Sequence, residues 1–319
     1  MCLLARRWGN MSPCAKNGAV IPQIMPAMGA FLLNMANWKR TLVGDMPVYQ
    51  ATTISWLPGV VQAFTTRRGG VSAKPFDTLN LSLSIGDSQE AVMENRQRVL
   101  ADIAGGGAQL VTASQVHAVG VACVDCLPKA PLEADALITD TPGLMLMLLF
   151  ADCVPIYIID PTHRAIGLAH SGWRGTAKNI TRHTLKAMQE HFGTQPRACL
   201  AAIGPCISAD YYEVGSEVAD ALRDAPGGKE AGSTTQVMPR NEFGNKWSVN
   251  LRQIVFTQLL QAGLKPEYIA VSDQCTFRNR RDFFSHRRAS IDGEKTGRMA
   301  ALFGLKETNQ RRLPQSAII

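Results

Sequence analysis

The segment from residue 144 to residue 160 constrains the fold more than any other part of the chain. It reads LMLMLLF, then ADC, then VPIYIID, so two apolar runs are separated by three residues that include Asp152. Short continuous apolar runs are typical of buried strands. The chain is therefore expected to build its core on two such strands, joined by a short polar interruption.

Around this segment, strand patterns alternate with helical ones. Further strands are predicted at residues 60–65, 79–87, 117–123, 165–170 and 199–203, and the third of these is expected to begin at His117. Helices are predicted at residues 88–104, 176–192 and 249–264, with Ser88 as a cap and Gly193 as a stop. This mixture predicts an α+β or α/β fold in one domain, residues 50–305.

The ends of the chain differ in composition from this domain. Residues 1–44 carry five Lys or Arg and no Asp or Glu, and without them 28 basic and 26 acidic residues remain. We expect residues 1–49 to be an N-terminal extension, disordered or produced by a start codon placed too early, with a signal or transit peptide as the alternative. Residues 306–319 are expected to be a polar tail. A nearly neutral body has no broad footprint for a polyanion, so we expect no nucleic-acid partner.

The number of cysteines and the length of the apolar stretches indicate the type of cellular compartment. Eight cysteines are spread irregularly along 319 residues, which is not the pattern of a disulfide scaffold and favours a reducing compartment. The longest apolar stretch, residues 144–151, is far shorter than the roughly 20 residues that cross a bilayer. We therefore expect no membrane partner.

Three side chains suited to metal binding lie beside strand-like sequence: His117 in SQVH, Cys153 in ADCVP and His170 in AHSGWRG. Their separations of 36 and 17 residues are too wide for a compact zinc finger, so a shared site must be assembled by folding. Three ligands with one open position is the pattern of a catalytic zinc site, where an ion activates water or polarises a substrate oxygen. A core cysteine and structural histidines fit the same spacing, which leaves both interpretations open.

Eight motifs then make the pattern specific. In chain order they are TTRRGGVS, LNLS with GD and NR after it, SQVH, ADALIT, ADCVP, AHSGWRGT, AAIGPCI and CTF…FFSHRR…TGRMAALFGL. Over about residues 55–305 they resemble the YfiH or polyphenol oxidase (laccase-domain) family, whose members are regarded as purine nucleoside phosphorylases. The chain departs from the family at Ala118, where Gly is usual, and at Ser171, where Ala is frequent.

The resemblance implies a single YfiH-like domain, of the type also found in cytotoxic necrotising factor, with mixed sheets flanked by helices. It implies a zinc-dependent enzyme that cleaves adenosine, inosine or guanosine with phosphate to the base and ribose 1-phosphate. Methylthioadenosine cleavage and adenosine deaminase activity are also implied. The family's metal ligands fall on His117, Cys153 and His170, and the expected location is the cytoplasm, in purine salvage. The oligomeric state stays open.

Further residues are candidates for contact with substrate. Asp152, beside Cys153, is a candidate acid–base group or ligand-orienting group, although a carboxylate at a strand end often only accepts backbone hydrogen bonds. Arg67, Arg174 and Arg287 are candidates for phosphate because guanidinium matches its oxygens. Asn80 is a candidate for ribose and Trp173 for stacking on a purine. Structural roles remain open for each of these residues.

Three other functions stay open. Cys153 with a histidine base would make a cysteine amide hydrolase, or an editing factor for cell-wall precursors, to which the family has also been linked. A protein that binds metal without turnover is another. A copper-dependent polyphenol oxidase is the last, and the total of six histidines argues against a multicopper centre.

Overall fold

The structure is a computed structural model that describes residues 38–105, 107–229, 236–240 and 245–307. The strands, in chain order, are β1 (Trp38–Val43), β2 (Met46–Ala51), β3 (Val60–Thr65), β4 (Gln109–Ser114), β5 (Val121–Cys123), β6 (Leu132–Glu133), β7 (Ala136–Thr139), β8 (Leu144–Phe150), β9 (Val154–Asp160), β10 (Ala165–Ser171), β11 (Leu200–Ile203), β12 (Glu213–Val214), β13 (Val237–Pro239), β14 (Trp247–Val249), β15 (Ile269–Val271) and β16 (Met299–Leu305). The α-helices are α1 (Thr52–Ser55), α2 (Gln89–Val99), α3 (Trp173–Ala177), α4 (Ile180–Phe192), α5 (Ser216–Asp224), α6 (Leu251–Gln261) and α7 (His286–Asp292).

Two large mixed sheets form the centre of the described structure. The seven-stranded sheet has the order β1-β2-β3-β16-β8-β4-β6, and the six-stranded sheet has the order β15-β11-β9-β10-β7-β5. A three-stranded sheet, β12-β14-β13, lies beside them. Because β8 belongs to the first large sheet and β9 to the second, residues 151–153 carry the chain from one sheet to the other.

The apolar runs of β8 and β9 fill three layers of core. In β8, Leu146 and Leu148 point into a cluster shared by both large sheets, whereas Met145 and Met147 pack on the opposite face. Strand β9 behaves in the same way, with alternate residues in the shared cluster and in the cluster that α4 and α6 cover. Alternation along a strand sends successive side chains to opposite faces, so a run buried on both faces must be apolar throughout. The mixed α/β layers expected from the sequence are thus confirmed.

Two strand predictions are wrong. Residues 79–87 form no strand, although Leu79 and Leu81 are fully buried. The backbone N–H of Leu79 bonds the carbonyl of Arg67 and that of Leu81 bonds the carbonyl of Arg298, so burial alternates there without a strand ladder. The third strand begins at Val121 rather than at His117, because His117 lies in a turn with φ of 59°.

Boundaries also differ from prediction. Residues 38–49 belong to the domain, because β1 pairs along its whole length with β2, and β2 pairs with β3. The predicted boundary at residue 50 therefore lies too late by at least twelve residues. The rest of the expected extension, residues 1–37, and most of the expected tail, residues 308–319, lie outside the described residues. Within the described ranges, every helix is too short or too polar to span a bilayer.

Candidate metal centre

The topology of the two sheets explains why His117, Cys153 and His170 meet. Strands β4 and β8 are parallel neighbours, so the segments after them, which carry His117 and Cys153, leave the same edge of the sheet. Strand β10 is antiparallel to β9, and His170 is paired with Pro155, two residues after Cys153. The structure therefore brings together three residues that are far apart in the sequence.

The three side chains form a compact cluster, called here the ligand cluster. One ligand atom from each residue lies within 4.8 Å of the other two. The His117 side chain is exposed, Cys153 is half-buried and His170 is 3% exposed, so the cluster faces solvent from one side. Among the described residues it is the one group of three or more His, Cys, Asp or Glu side chains that could share a metal ion.

Asp135 holds two members of the cluster in place. One oxygen, Oδ1, lies 2.9 Å from His170 Nδ1 and accepts a hydrogen bond from the backbone N–H of His117. Oδ2 accepts from the N–H groups of Val116 and Ala118. These contacts fix the turn in which His117 has a positive φ, a conformation that most side chains avoid. Because Nδ1 of His170 is used by Asp135, its Nε2 is left for the cluster.

The charges in the cluster favour the thiolate of Cys153. Burial raises the pKa of the Cys153 thiol, but the charge of His170 and hydrogen bonds from His117 and His170 outweigh burial and lower the pKa to about 6. Burial lowers the pKa of His170, but the Cys153 thiolate and Asp135 outweigh that and raise it to about 9. Burial also raises the pKa of the Asp135 carboxyl, yet its hydrogen bonds from His170 and the backbone hold it below the ordinary value.

Gly172 permits the close packing of the cluster. A Cβ atom at this position would lie 3.1 Å from Cys153 Sγ and 3.2 Å from His117 Cδ2. Both distances are shorter than ordinary van der Waals contacts, so any larger residue would displace these ligands. The glycine in SGWRG is therefore required by space rather than by its backbone conformation.

Asp152 is buried next to the cluster and its carboxylate is fully engaged. Oδ1 accepts a hydrogen bond of 2.6 Å from the Thr276 hydroxyl. Oδ2 accepts from the Ser285 hydroxyl at 2.9 Å and from the backbone N–H of Arg287 at 2.7 Å. These bonds tie the β8–β9 connection, where Asp152 has φ of 91°, to the segment that carries α7. They are the contacts of a positioning residue.

Two cavities meet at the ligand cluster. The first, called here the arginine cavity, has a volume of about 720 Å³, contains Arg96 and Arg298 in its wall, and extends past Ser84 and Ser114. The second, called here the aromatic cavity, has a volume of about 470 Å³ and is walled by Trp173, Tyr212, Val214 and Leu251, among others. Four residues line both cavities: His117, Ala151, Cys153 and His286. The cluster thus lies at the junction of two differently built spaces.

The other predicted site residues separate into two groups. Trp173, Arg174 and Arg287 line the aromatic cavity, where the guanidinium carbon of Arg174 lies 4.2 Å from the ring centre of Trp173. Arg67 and Asn80 are absent from the walls of both cavities. The Arg67 guanidinium pairs with Asp77 at 3.2 Å and packs over the ring of Phe284, so its hydrogen-bonding edge is used within the fold.

Asn80 has no hydrogen-bonding capacity left for a substrate. It is fully buried, and its side-chain N–H groups bond the Ser82 carbonyl and the Asp87 carboxylate. Its oxygen accepts from the backbone N–H groups of Ser82 and Arg298. Asn80 therefore positions Arg298 and the adjacent loop from behind the cavity wall, which corrects the expectation that it contacts ribose.

Several residues at or beside the junction carry little signal in the sequence. Asp135 lies in the ADALIT motif, where a lone carboxylate between apolar residues was the available signal. Arg96 and Arg298 lie in the NR and TGR motifs, and neither was singled out as a ligand. His286, in the FFSHRR motif, lines both cavities. Tyr212 carried no sequence signal of its own.

Comparison with known proteins identifies the family of the chain. Residues 61–306 match the family described as multi-copper polyphenol oxidoreductase laccase. The purine nucleoside phosphorylase YlmD of Geobacillus stearothermophilus is 35% identical over 277 residues, covering 82% of this chain and 98% of that protein. The purine nucleoside phosphorylase YfiH of Escherichia coli is 34% identical over 248 residues, covering 77% and 94%.

Solved structures give the same result. The crystal structures of YlmD from Geobacillus stearothermophilus and of the hypothetical protein YfiH from Bacillus licheniformis each match with a TM-score of 0.74 and 33% identity. Each match covers 84% of this chain and 99% of the other. Sequence and fold together show that the chain belongs to the family described as multi-copper polyphenol oxidoreductase laccase, the family of YfiH and YlmD.

Proposed function

We propose that the protein is a zinc-dependent purine nucleoside phosphorylase that cleaves adenosine, inosine or guanosine with inorganic phosphate. Methylthioadenosine is a further substrate, and deamination of adenosine is a second activity of the same site. The names of the relatives support the purine nucleoside as substrate class. The observation that carries the proposal is the junction, where a cluster of three metal-ligating side chains separates a cavity with arginines from a cavity with aromatic walls.

The donor set of His117, Cys153 and His170 fits zinc. Two imidazoles and a thiolate are ligands that zinc accepts, and three protein ligands leave one position for a substrate or water. The depressed pKa of Cys153 makes the thiolate available at neutral pH. The contact between Asp135 and His170 is the carboxylate–histidine arrangement that orients zinc-binding imidazoles. When bound, zinc would supply Lewis acidity towards a substrate oxygen or a water molecule.

The distribution of histidines favours one metal over a multicopper centre, although the family description names copper. Only two of the six histidines in the chain lie in the cluster. His163 instead bonds Asp160 at 2.7 Å, and His191 lies beside Phe192 on α4. Blue and multinuclear copper centres draw heavily on imidazole ligands. We therefore assign a single zinc rather than copper.

The aromatic cavity suits the base of the nucleoside. Trp173 and Tyr212 contribute aromatic rings, each with a guanidinium over one face, and Val214 and Leu251 contribute apolar surface. Glu213 and Arg287 add a carboxylate and a guanidinium to the same wall, where they can meet the polar edge of a purine. Neither feature depends on a bound metal.

Phosphorolysis then requires the two substrates to meet beside the cluster. A phosphate oxygen bonds to C1′ of the ribose while the bond from C1′ to the base nitrogen breaks, and the electron pair leaves on the base, which takes up one proton. The transition state resembles an oxocarbenium ion, as in sugar hydrolysis. Holding both substrates in adjoining cavities lowers the barrier by fixing their orientation. His286 lines both cavities and is our candidate for delivering the proton to the leaving base.

Asp152 supports this chemistry indirectly. Its oxygens are occupied by Thr276, Ser285 and the backbone of Arg287, which leaves it poorly placed to exchange a proton with substrate. We assign it the second of the roles expected from the sequence, that of orienting the Cys153 segment. It also holds the start of α7, and with it His286, against the junction.

One observation favours a second function. A thiolate with a depressed pKa beside a protonated imidazole is the arrangement of a cysteine nucleophile, which would act on amides. A thiolate bound to zinc is a poor free nucleophile, so zinc occupancy separates the two functions. An amide hydrolase would gain activity when the metal is removed, whereas the phosphorylase would lose it.

The proposal is tested by chromatographic product analysis of protein whose metal content has been measured. The protein is incubated with adenosine, inosine or guanosine, with and without phosphate. Phosphate-dependent release of free base with an equal amount of ribose 1-phosphate is the expected result, and inosine from adenosine would show the deamination. Absence of these products from zinc-loaded protein would contradict the proposal and favour a binding role.

A further inference from the structure

We propose that the arginine cavity is the oxyanion subsite of the protein and that Arg96 and Arg298 are its ligands for inorganic phosphate. The identity of the anion rests on the proposed function, since phosphorolysis consumes phosphate. The presence of an anion subsite rests on the structure of this cavity alone. The assignment moves the phosphate away from Arg67, Arg174 and Arg287, the residues expected from the sequence.

Arg96 lines the cavity and has one guanidinium nitrogen without a hydrogen-bond acceptor among the described residues. It projects from α2, is half-buried, and donates from Nε and Nη2 to the carbonyl of Leu81, at 3.0 Å and 2.8 Å. Nη1 has no acceptor among the described residues, and no carboxylate there forms an ion pair with this side chain. The two bonds to Leu81 hold the guanidinium plane in a fixed position without neutralising its charge.

Arg298 also lines the cavity and is arranged in a comparable way. It lies just before β16, is half-buried, and donates from Nη1 to the carbonyls of Thr296 and Gly297, at 3.0 Å and 3.1 Å. Its Nε and Nη2 have no acceptor in the described part of the chain, and it forms no ion pair there. Asn80 accepts from its backbone N–H at 3.0 Å, so the residue that carries the guanidinium is itself fixed.

Neither guanidinium is paired with a carboxylate, and among the described residues that line the cavity the one anionic group is the Cys153 thiolate of the ligand cluster. No Asp or Glu is among the residues that line the arginine cavity, and four hydroxyl side chains are present: Ser82, Ser84, Thr112 and Ser114. Burying a positive charge without a partner costs free energy, and an anion in the cavity would offset this cost. Guanidinium groups and hydroxyls are the donors that phosphate oxygens accept from.

The aromatic cavity is the less suitable place for phosphate. Its wall includes Glu213, whose carboxylate pairs with Arg240 at 3.7 Å and with Lys246 at 3.2 Å, and Asp152, whose carboxylate accepts from two hydroxyls and a backbone N–H. The charge of Asp152 would repel a phosphate dianion. Arg174 stacks on Trp173, and Arg287 donates from Nη1 to the carbonyl of Glu213 at 2.6 Å. Both cavities reach Cys153 and His286, so a phosphate held by Arg96 and Arg298 lies across the junction from the nucleoside.

The test is isothermal titration of inorganic phosphate into the full-length, zinc-loaded protein in a buffer without other oxyanions. We expect Arg298→Gln and Arg96→Gln each to weaken phosphate binding by roughly tenfold to a hundredfold, the effect of losing hydrogen bonds to a charged group. Arg98→Gln is the matched control, because Arg98 is on the same helix but exposed and paired with Glu94. Zinc content and thermal unfolding are measured for each variant.

The Gln variants lose both the positive charge and the hydrogen bonds to the backbone, so variants that keep the charge are needed as well. Arg298→Lys and Arg96→Lys keep the charge and remove the guanidinium fork, and we expect them to bind phosphate better than the Gln variants and worse than the wild type. In steady-state assays the KM for phosphate should rise in all four variants, while the KM for the nucleoside stays within about twofold of wild type because the aromatic cavity is untouched.

Wild-type phosphate affinity in both folded Gln variants, or no phosphate binding by the wild-type protein at millimolar concentrations, would overturn the subsite. Weakened binding in R96Q and R298Q with normal binding in R98Q would support it. If phosphate binds through these arginines but no base is released from any purine nucleoside, the subsite stands and the proposed function fails.

Discussion

The two cavities that meet at the ligand cluster differ in charge, although they share Cys153 and His286. The arginine cavity has two cations without acidic partners and several hydroxyls in its wall. The aromatic cavity has rings, apolar side chains and two carboxylates. On the proposed function, the first cavity would stabilise the phosphate anion and the second the purine ring, so the two cavities would differ in composition according to the substrate that each binds.

Different parts of the fold form the two cavities. The wall of the arginine cavity comes from loops and strand ends of the seven-stranded sheet, including residues 82–85 and 112–115. The aromatic cavity is built from α3, α5 and the three-stranded sheet, which lie beside the six-stranded sheet. The ligand cluster sits where the chain crosses between the two large sheets. Residues that line only one of the cavities can therefore be substituted without changing the wall of the other.

The largest effect is expected from Cys153→Ala, which removes one of the three candidate zinc ligands from the wall that both cavities share. Base release should fall at least about a thousandfold and zinc should be lost, because a Lewis acid contributes several kcal/mol to catalysis. Metal analysis and product chromatography measure the two effects. Cys199→Ala, which removes a buried thiol outside the cluster, is the control and should leave both unchanged. Full activity in C153A would contradict the assignment of Cys153 as a zinc ligand needed for base release.

Asp135→Asn should have the next largest effect. The substitution weakens the hydrogen bond that orients His170, and loss of such a partner costs about tenfold to a hundredfold in metal affinity. Competition with a chelator measures that affinity. Asp160→Asn is a matched control, because Asp160 is also a buried carboxylate bonded to a histidine, His163, but lies outside the cluster. Equal zinc affinities for D135N and D160N would refute the role given to Asp135.

Trp173→Ala should weaken binding of the nucleoside without affecting binding of phosphate. We expect about a tenfold higher KM for the nucleoside, since stacking of a base on an aromatic ring contributes about 1–3 kcal/mol, with an unchanged KM for phosphate. Trp56→Ala serves as the control, as Trp56 is partly exposed and lines neither cavity. An increase confined to the KM for phosphate would reverse the assignment of the two cavities.

The smallest effect is expected from Gly172→Ala. The new Cβ would press on Cys153 Sγ and His117, shifting them by a few tenths of an ångström. A metal site requires its ligand distances to stay within about 0.2 Å of their ideal values, so we expect zinc affinity to fall by roughly fivefold. In the control Gly120→Ala the new Cβ would have its nearest neighbour at an ordinary 3.7 Å. Unchanged zinc affinity in G172A would show that the cluster accommodates an additional methyl group despite its close packing.

Strands β8, β9 and β10 could be predicted because their burial on both faces leaves a continuous apolar signature in the sequence. The sequence motifs likewise pointed to His117, Cys153 and His170. The alternation of leucines at residues 79–85 was misleading, because it reports which side chains are buried and not whether the backbone joins a ladder. The basic residues near Trp38 concealed β1, whose pairing depends on backbone hydrogen bonds rather than on side-chain pattern.

The arginine cavity could not be predicted from the sequence, for a physical reason. Arg96 and Arg298 are distant in the sequence and converge only after the two segments fold against the same loop. Arginines with acidic partners look the same in a sequence as arginines without them. Arg67, beside the glycine pair, was the arginine that the sequence favoured for phosphate, yet its charge is paired with Asp77 in the structure. The number of unpaired charges is a property of the fold, not of the composition.

The most direct test of the account is base release before and after metal removal in the wild-type protein. The protein is depleted with a chelator, assayed with inosine and phosphate, then reloaded with zinc or with copper and assayed again, with the metal content measured at each stage. We predict that depletion abolishes base release and that about one zinc per chain restores it, as expected of a single catalytic site. Undiminished base release from metal-free protein, or restoration by copper alone, would contradict the zinc centre at the junction.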